Sequence, residues 1–91
     1  MVITTNYYLF TIICEESVSE HLIQNLRQFE PTRYTLQEIK SGKGNAEESP
    51  NIKIEVLCTR TIYPKVLDYV IQYYVKQYGV TCYMTEASVP M

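Results

Sequence analysis

Lys40-Ser41-Gly42-Lys43-Gly44-Asn45-Ala46-Glu47-Glu48-Ser49-Pro50 separates two strand-like runs, residues 33–40 and 51–58. Hairpins usually close with a few turn residues, so a connection of this length points to a functional or mobile loop. Its glycines lower the barrier to positive φ and let a ligand approach the backbone. The backbone amides of such a turn form an anion-binding concavity, to which Lys43 adds charge. Gly-Lys-Gly is a poor phosphate loop, since no helix follows it, and Glu47 and Glu48 oppose a polyphosphate. A solvated hairpin loop is the plain alternative.

The flanking runs differ in quality. Asn51-Ile-Lys-Ile-Glu-Val-Leu-Cys58 alternates cleanly, with Ile52, Ile54, Val56 and Cys58 on one face and Lys53 and Glu55 on the other. Residues 33–40 alternate weakly and suit an edge strand. Outside the hairpin lie two helical segments. Ser17 followed by Glu20 fits a capping box. Val18, Leu22, Leu26 and Phe29 then recur at helical spacing until Pro31. Thr61-Ile-Tyr-Pro64 opens the second helix, where proline is tolerated in the first turn. Leu67, Val70, Ile71, Tyr74 and Tyr78 form its expected inner stripe, and Gly79 suits a left-handed cap. Outermost are strand-like residues 7–14 and 80–87, the second continued or followed by Ala87-Ser-Val-Pro-Met91.

The order is β-α-β-β-α-β, the ferredoxin-like pattern of an α+β domain. The expectation is a four-stranded antiparallel sheet with two helices on one face, all in a single domain of residues 1–91. The first and third strands are expected to lie adjacent and parallel, with the loop and the C-terminal tail at one sheet end and the helix N-termini at the other. Tyr7, Leu9, Ile13, Leu57 and Tyr83 would then face away from the helices, and an uncovered apolar face marks an interface. A chain of 91 residues buries only roughly 60–65% of its unfolded surface, so assembly would help it.

Composition excludes several classes. A net charge of −2 leaves no basic footprint for nucleic acid. No apolar run reaches the roughly 20 residues of a membrane span, and the opening Met-Val-Ile-Thr-Thr-Asn-Tyr lacks the pattern of a signal peptide. Three cysteines without close pairing suit a reducing cytoplasm. Cys14, Cys58 and Cys82 are expected near one sheet end and on the helix-facing side. There they could bind a soft metal, with His21 as a fourth ligand, but small buried core residues are the preferred reading. No nucleophile–base pair accompanies His21, Ser17 and Ser19 read as caps, and Arg60 reads as a solvated loop residue; nothing suggests an enzyme.

Arg33-Tyr-Thr-Leu, Ser41-Gly-Lys-Gly-Asn45, Asn51-Ile-Lys-Ile-Glu-Val-Leu57 and Tyr83-Met-Thr-Glu-Ala-Ser-Val89 together resemble the PII-like signalling proteins, nearest the carboxysome- and bicarbonate-transporter-associated branch. The resemblance implies a cytoplasmic homotrimer with sheets inward and helices outside. Residues 41–50 would be the T-loop, and an adenine nucleotide would bind between subunits at its base, at Ser41, Gly42, Lys43, Gly44 and Asn45. It implies a regulated protein partner, such as a membrane transporter, and no metal cofactor. The Thr-Gly-x-x-Gly-Asp-Gly-Lys run of many PII proteins is absent: Gln77-Tyr-Gly-Val-Thr81 stands before the last strand. CutA-like divalent-cation-binding trimers and ACT-like amino-acid-binding modules share the subunit topology.

Overall fold

In the computed structural model, residues 4–31, 33–39 and 51–90 are described. Strand β1 spans Thr4–Glu15, β2 Arg33–Ile39, β3 Asn51–Thr59 and β4 Thr81–Pro90. Helix α1 spans Glu16–Leu26, and α2 spans Tyr63–Val70. The sheet order is β2-β3-β1-β4, and every neighbouring pair is antiparallel.

Antiparallel pairing of β1 with β3 corrects the parallel arrangement expected for them. The right-handed crossover through α1 joins β1 to β2, and those strands run the same way with β3 between them. The hairpin turn then reverses β3 against both. The two sheet ends change accordingly. Glu15 pairs with Asn51, and Asn51 with Ile39, so the 40–50 connection leaves from the end where α1 begins. Thr4 pairs with Pro90 and Tyr7 with Thr59, so the C-terminal end of β4 lies at the opposite end, where α2 begins. Loop and tail are therefore at opposite ends, and so are the two helix N-termini.

The core lies between the sheet and the helices. Phe10, Ile12, Cys14, Ile52, Ile54, Val56 and Cys58 pack against Leu22, Leu26, Val66, Val70 and Tyr74. β3 alternates strictly between buried and half-buried residues, as its period-two pattern dictates. β4 does not, and among its helix-side residues Met84 is 39% exposed. Away from the helices, Tyr7, Leu9, Ile13 and Leu57 are half-buried, and Tyr83 is exposed. Thr11, on that same face between Glu55 and Tyr83, is only 2% exposed.

Local chemistry explains the helix ends. Glu15 sits at the N-cap of α1 with extended backbone and no side-chain cap bond, so the Ser17–Glu20 capping box does not form. The helix starts two residues too early for Ser17 to cap it. Ser19 instead donates to the Glu16 carbonyl at 2.8 Å within the first turn. α1 tightens through Arg27–Phe29 and stops at Glu30, which takes a left-handed conformation with φ 51° immediately before Pro31. The second helix continues past Val70 through a wide π-type turn, Ile71–Val75, and closes over Lys76–Tyr78. Val66, Val70 and Tyr74, one turn apart on a single face, are the buried positions. Ile71 and Tyr78, expected inside, are 43% and 51% exposed. Gly79 ends the helix at φ 63° as expected.

Candidate functional site

β1 and β4 extend beyond the start of α2 and leave a shelf on the helix side of the sheet. Asn6, Tyr7 and Tyr8 from β1, Glu86, Ala87 and Ser88 from β4, and Arg60 enclose a cavity of about 450 Å³ there. The strands meet in register as Asn6–Ser88, Tyr7–Ala87 and Tyr8–Glu86. Directly opposed residues share a face, so Asn6, Tyr8, Glu86 and Ser88 lie together on the helix side. Arg60 is held over this floor by a side-chain turn, in which the Ile62 amide donates to Thr59 Oγ1 at 3.2 Å. The Ile62 carbonyl accepts from the amides of Lys65 and Val66, fixing the first turn of α2.

The cavity is polar and carries both signs of charge. Ser88 Oγ donates to Asn6 Oδ1 at 3.3 Å. Tyr8 packs on Tyr63 with ring centroids 4.8 Å apart, and Tyr63 meets Phe10 at 5.6 Å. Burial pushes the Tyr63 hydroxyl up from the ordinary tyrosine value, with smaller contributions from Cys82, Cys58 and Tyr8. Arg60 and Glu86 are exposed and form no ion pair among the described residues, whereas Lys53 and Glu55 pair at 3.9 Å. The arrangement can hold a small polar molecule through a guanidinium, a carboxylate and neutral hydrogen-bonding groups.

Of the residues expected to bind an effector, Ser41, Gly42, Lys43, Gly44 and Asn45 lie outside the described residues. The described ends of their connection, Ile39 and Asn51, are at the sheet end away from the Arg60 cavity. Arg60, which reads from sequence as a solvated loop cation, is exposed as expected and also lines that cavity. Asn6 and Ser88 meet across 82 positions of chain, so no local pattern announces the site.

The cysteines do not gather at one end. Cys14 pairs with Ile52 and Cys58 with Tyr8, which places them at opposite ends of the central strands; Cys82 pairs with Ile12. That follows from the antiparallel direction of β3. All three are free thiols, Cys14 and Cys58 buried and Cys82 half-buried. Burial pushes Cys14 and Cys58 up to about 11, with the Glu15 charge adding at Cys14, and raises Cys82 as well. Among the described residues no group of His, Cys, Asp and Glu is arranged to hold a metal.

His21 has a different partner. Tyr74, 1% exposed, sends its hydroxyl to within 2.9 Å of His21 Nδ1, and Asn25 Nδ2 donates to the same hydroxyl at 2.8 Å. His21 and Asn25 are one helical turn apart, a spacing visible in the sequence, but the buried tyrosine between them is not. Burial raises the Tyr74 hydroxyl from its usual value, the bond from Asn25 working against it.

Comparison with known proteins places the fold. A structure of the apo form of CPII from Thiomonas intermedia, a nitrogen regulatory PII-like protein, superposes with a TM-score of 0.86 at 17% identity, covering 100% of this chain and 99% of that one. A Thermus thermophilus protein described as PII-like matches with a TM-score of 0.82 at 22% identity over 94% of this chain and 90% of that one. CPII bound to ADP, AMP and acetate matches with a TM-score of 0.82 at 19% identity, over 96% of this chain and 91% of that one. No curated protein sequence matches the chain. At these identities the likeness concerns the fold alone. The family model for nitrogen regulatory protein P-II, however, matches residues 7–90, nearly the whole sequence, and the chain belongs to that family.

Proposed function

We propose that this chain is a regulatory subunit that binds an adenine nucleotide and signals through the 41–50 connection. Membership of the P-II family carries the proposal, and CPII, of the same fold, has a structure bound to ADP, AMP and acetate. In this reading the chain works in the cytoplasm as a homotrimer without catalytic groups. The nucleotide sits between subunits, with Ser41, Gly42, Lys43, Gly44 and Asn45 at the base of the T-loop. The amides beside two glycines and the Lys43 ammonium supply the anion site.

Ordering each loop residue costs about 1–2 kcal/mol in backbone entropy, so occupancy and loop shape are coupled. A partner protein, such as a membrane transporter, that engages one loop shape is thereby regulated by the nucleotide. Titration calorimetry with AMP, ADP, ATP and cyclic AMP tests the proposal. At least one should bind, Lys43→Ala should weaken it about tenfold or more by removing a charge-assisted bond, and Glu47→Ala should leave it unchanged or tighter. Silence from all four nucleotides at millimolar concentration would remove it.

A further inference from the structure

The Arg60 cavity has a chemistry of its own, separate from the loop. We infer that it is a receptor for a zwitterion, specifically a free α-amino acid, with the ligand carboxylate on Arg60 and its ammonium on Glu86.

The inference starts from two opposite charges that share one cavity without pairing. Arg60 and Glu86 both line it, yet neither forms a salt bridge or hydrogen bond among the described residues. A guanidinium offers a planar fork of donors that a carboxylate fills in bidentate fashion. A carboxylate only accepts, and an ammonium answers it with three donors. One small molecule carrying both groups satisfies both walls. A polyanion does not, because the Glu86 carboxylate lines the same space; a simple cation meets Arg60. Each site charge cancels the other, and the ligand that matches is likewise neutral overall.

The rest of the cavity fits that class. Its volume of about 450 Å³ lies in the range of small-molecule sites. The Ser88–Asn6 pair supplies neutral donors and acceptors on the floor. Tyr8, held in place by Tyr63, supplies an aromatic surface for the ligand's side chain. The floor belongs to paired strands and Arg60 to a bonded turn, so the backbone that carries these groups is in place before the ligand arrives.

The test is calorimetry with the set of free L-amino acids, repeated with the Nα-acetyl and α-amide derivatives of any that bind. At least one amino acid should bind. Its acetyl derivative, which lacks the ammonium, and its amide, which lacks the carboxylate, should each bind about tenfold or more weakly. Arg60→Gln and Glu86→Gln should cause comparable losses; both residues are exposed, so circular dichroism should show the fold intact. Nucleotide titrations on the same samples keep the two sites apart, since within one chain Arg60 and Glu86 lie at the sheet end away from Ile39 and Asn51, the described ends of the 41–50 connection. The inference is overturned if no amino acid binds at millimolar concentration, if the acetyl derivatives bind as well as their parents, or if both variants bind like the wild type.

Discussion

A thiol enclosed by aliphatic side chains, with no base beside it, keeps its proton and loses its nucleophilicity. Cys14 and Cys58 are in that condition, pushed up to about 11 chiefly by burial. In native protein near pH 8 both should resist a thiol-specific disulfide reagent, and half-buried Cys82 should react first; rapid labelling of all three would contradict the placement. The same shift has a consequence for stability. Folded-state values above the reference value of 9.0 mean that the unfolded chain loses its thiol protons first as pH rises. Stability from these groups is complete below about pH 9 and declines toward pH 11, so the urea midpoint should fall across that window, less steeply in Cys58→Val. Tyr74 separates packing from hydrogen bonding. Tyr74→Phe removes only the hydroxyl shared by His21 and Asn25 and should cost about 1 kcal/mol in urea denaturation. Tyr74→Ala also empties the core beneath it and should cost about 3–5 kcal/mol.

Among the elements, the end of the second helix isolates a backbone effect. A Cβ added at Gly79 would meet nothing within 4 Å, so Gly79→Ala brings no clash. Its cost is the left-handed conformation alone, about 1–2 kcal/mol, and Gly79→Asn should cost less; thermal or urea denaturation reads both. That cap was legible because glycine has a local reason to be there. β3 was legible for a similar reason: its helix-side positions Ile52, Ile54, Val56 and Cys58 are all apolar, repeated with period two. The inner stripe of the second helix was legible only in its middle: Val70 and Tyr74 are buried and Leu67 packs against the core, but Val66 is buried where Ile71 and Tyr78 are exposed. The α1 cap misled because Ser17 and Glu20 have the right separation but stand inside a helix that follows β1 without a break. β4 runs on to Pro90, beyond residue 87, because β1 offers pairing partners as far as Thr4, a fact of the neighbouring strand and not of β4's own sequence.

For the whole molecule, element order pointed to the ferredoxin-like fold, whereas strand direction needed the crossover assigned to the correct pair. Every error about sheet ends followed from that one assignment, including the supposed gathering of the cysteines. The Arg60 cavity was invisible for a related reason: it exists only where the first and last strands meet. The sheet face away from the helices bears on assembly. Tyr7, Leu9, Ile13 and Leu57 are only half-buried there, and Leu9 pairs with Leu57 on one side and Thr85 on the other, in the middle of that face. If this face is the inner surface of a homotrimer, light scattering at micromolar concentration should give three times the mass of one chain; a stable monomer would end that proposal. Leu9→Asp sharpens the test, because its effect depends on what covers the residue. On a free monomer the new carboxylate stays half in water, and the folded chain tolerates it. Within an assembly it is buried without a partner, at about 3–5 kcal/mol per subunit, enough to dissociate or unfold the protein. A Leu9→Asp variant with wild-type mass and an unchanged melting temperature would show that this face is not the one through which subunits meet.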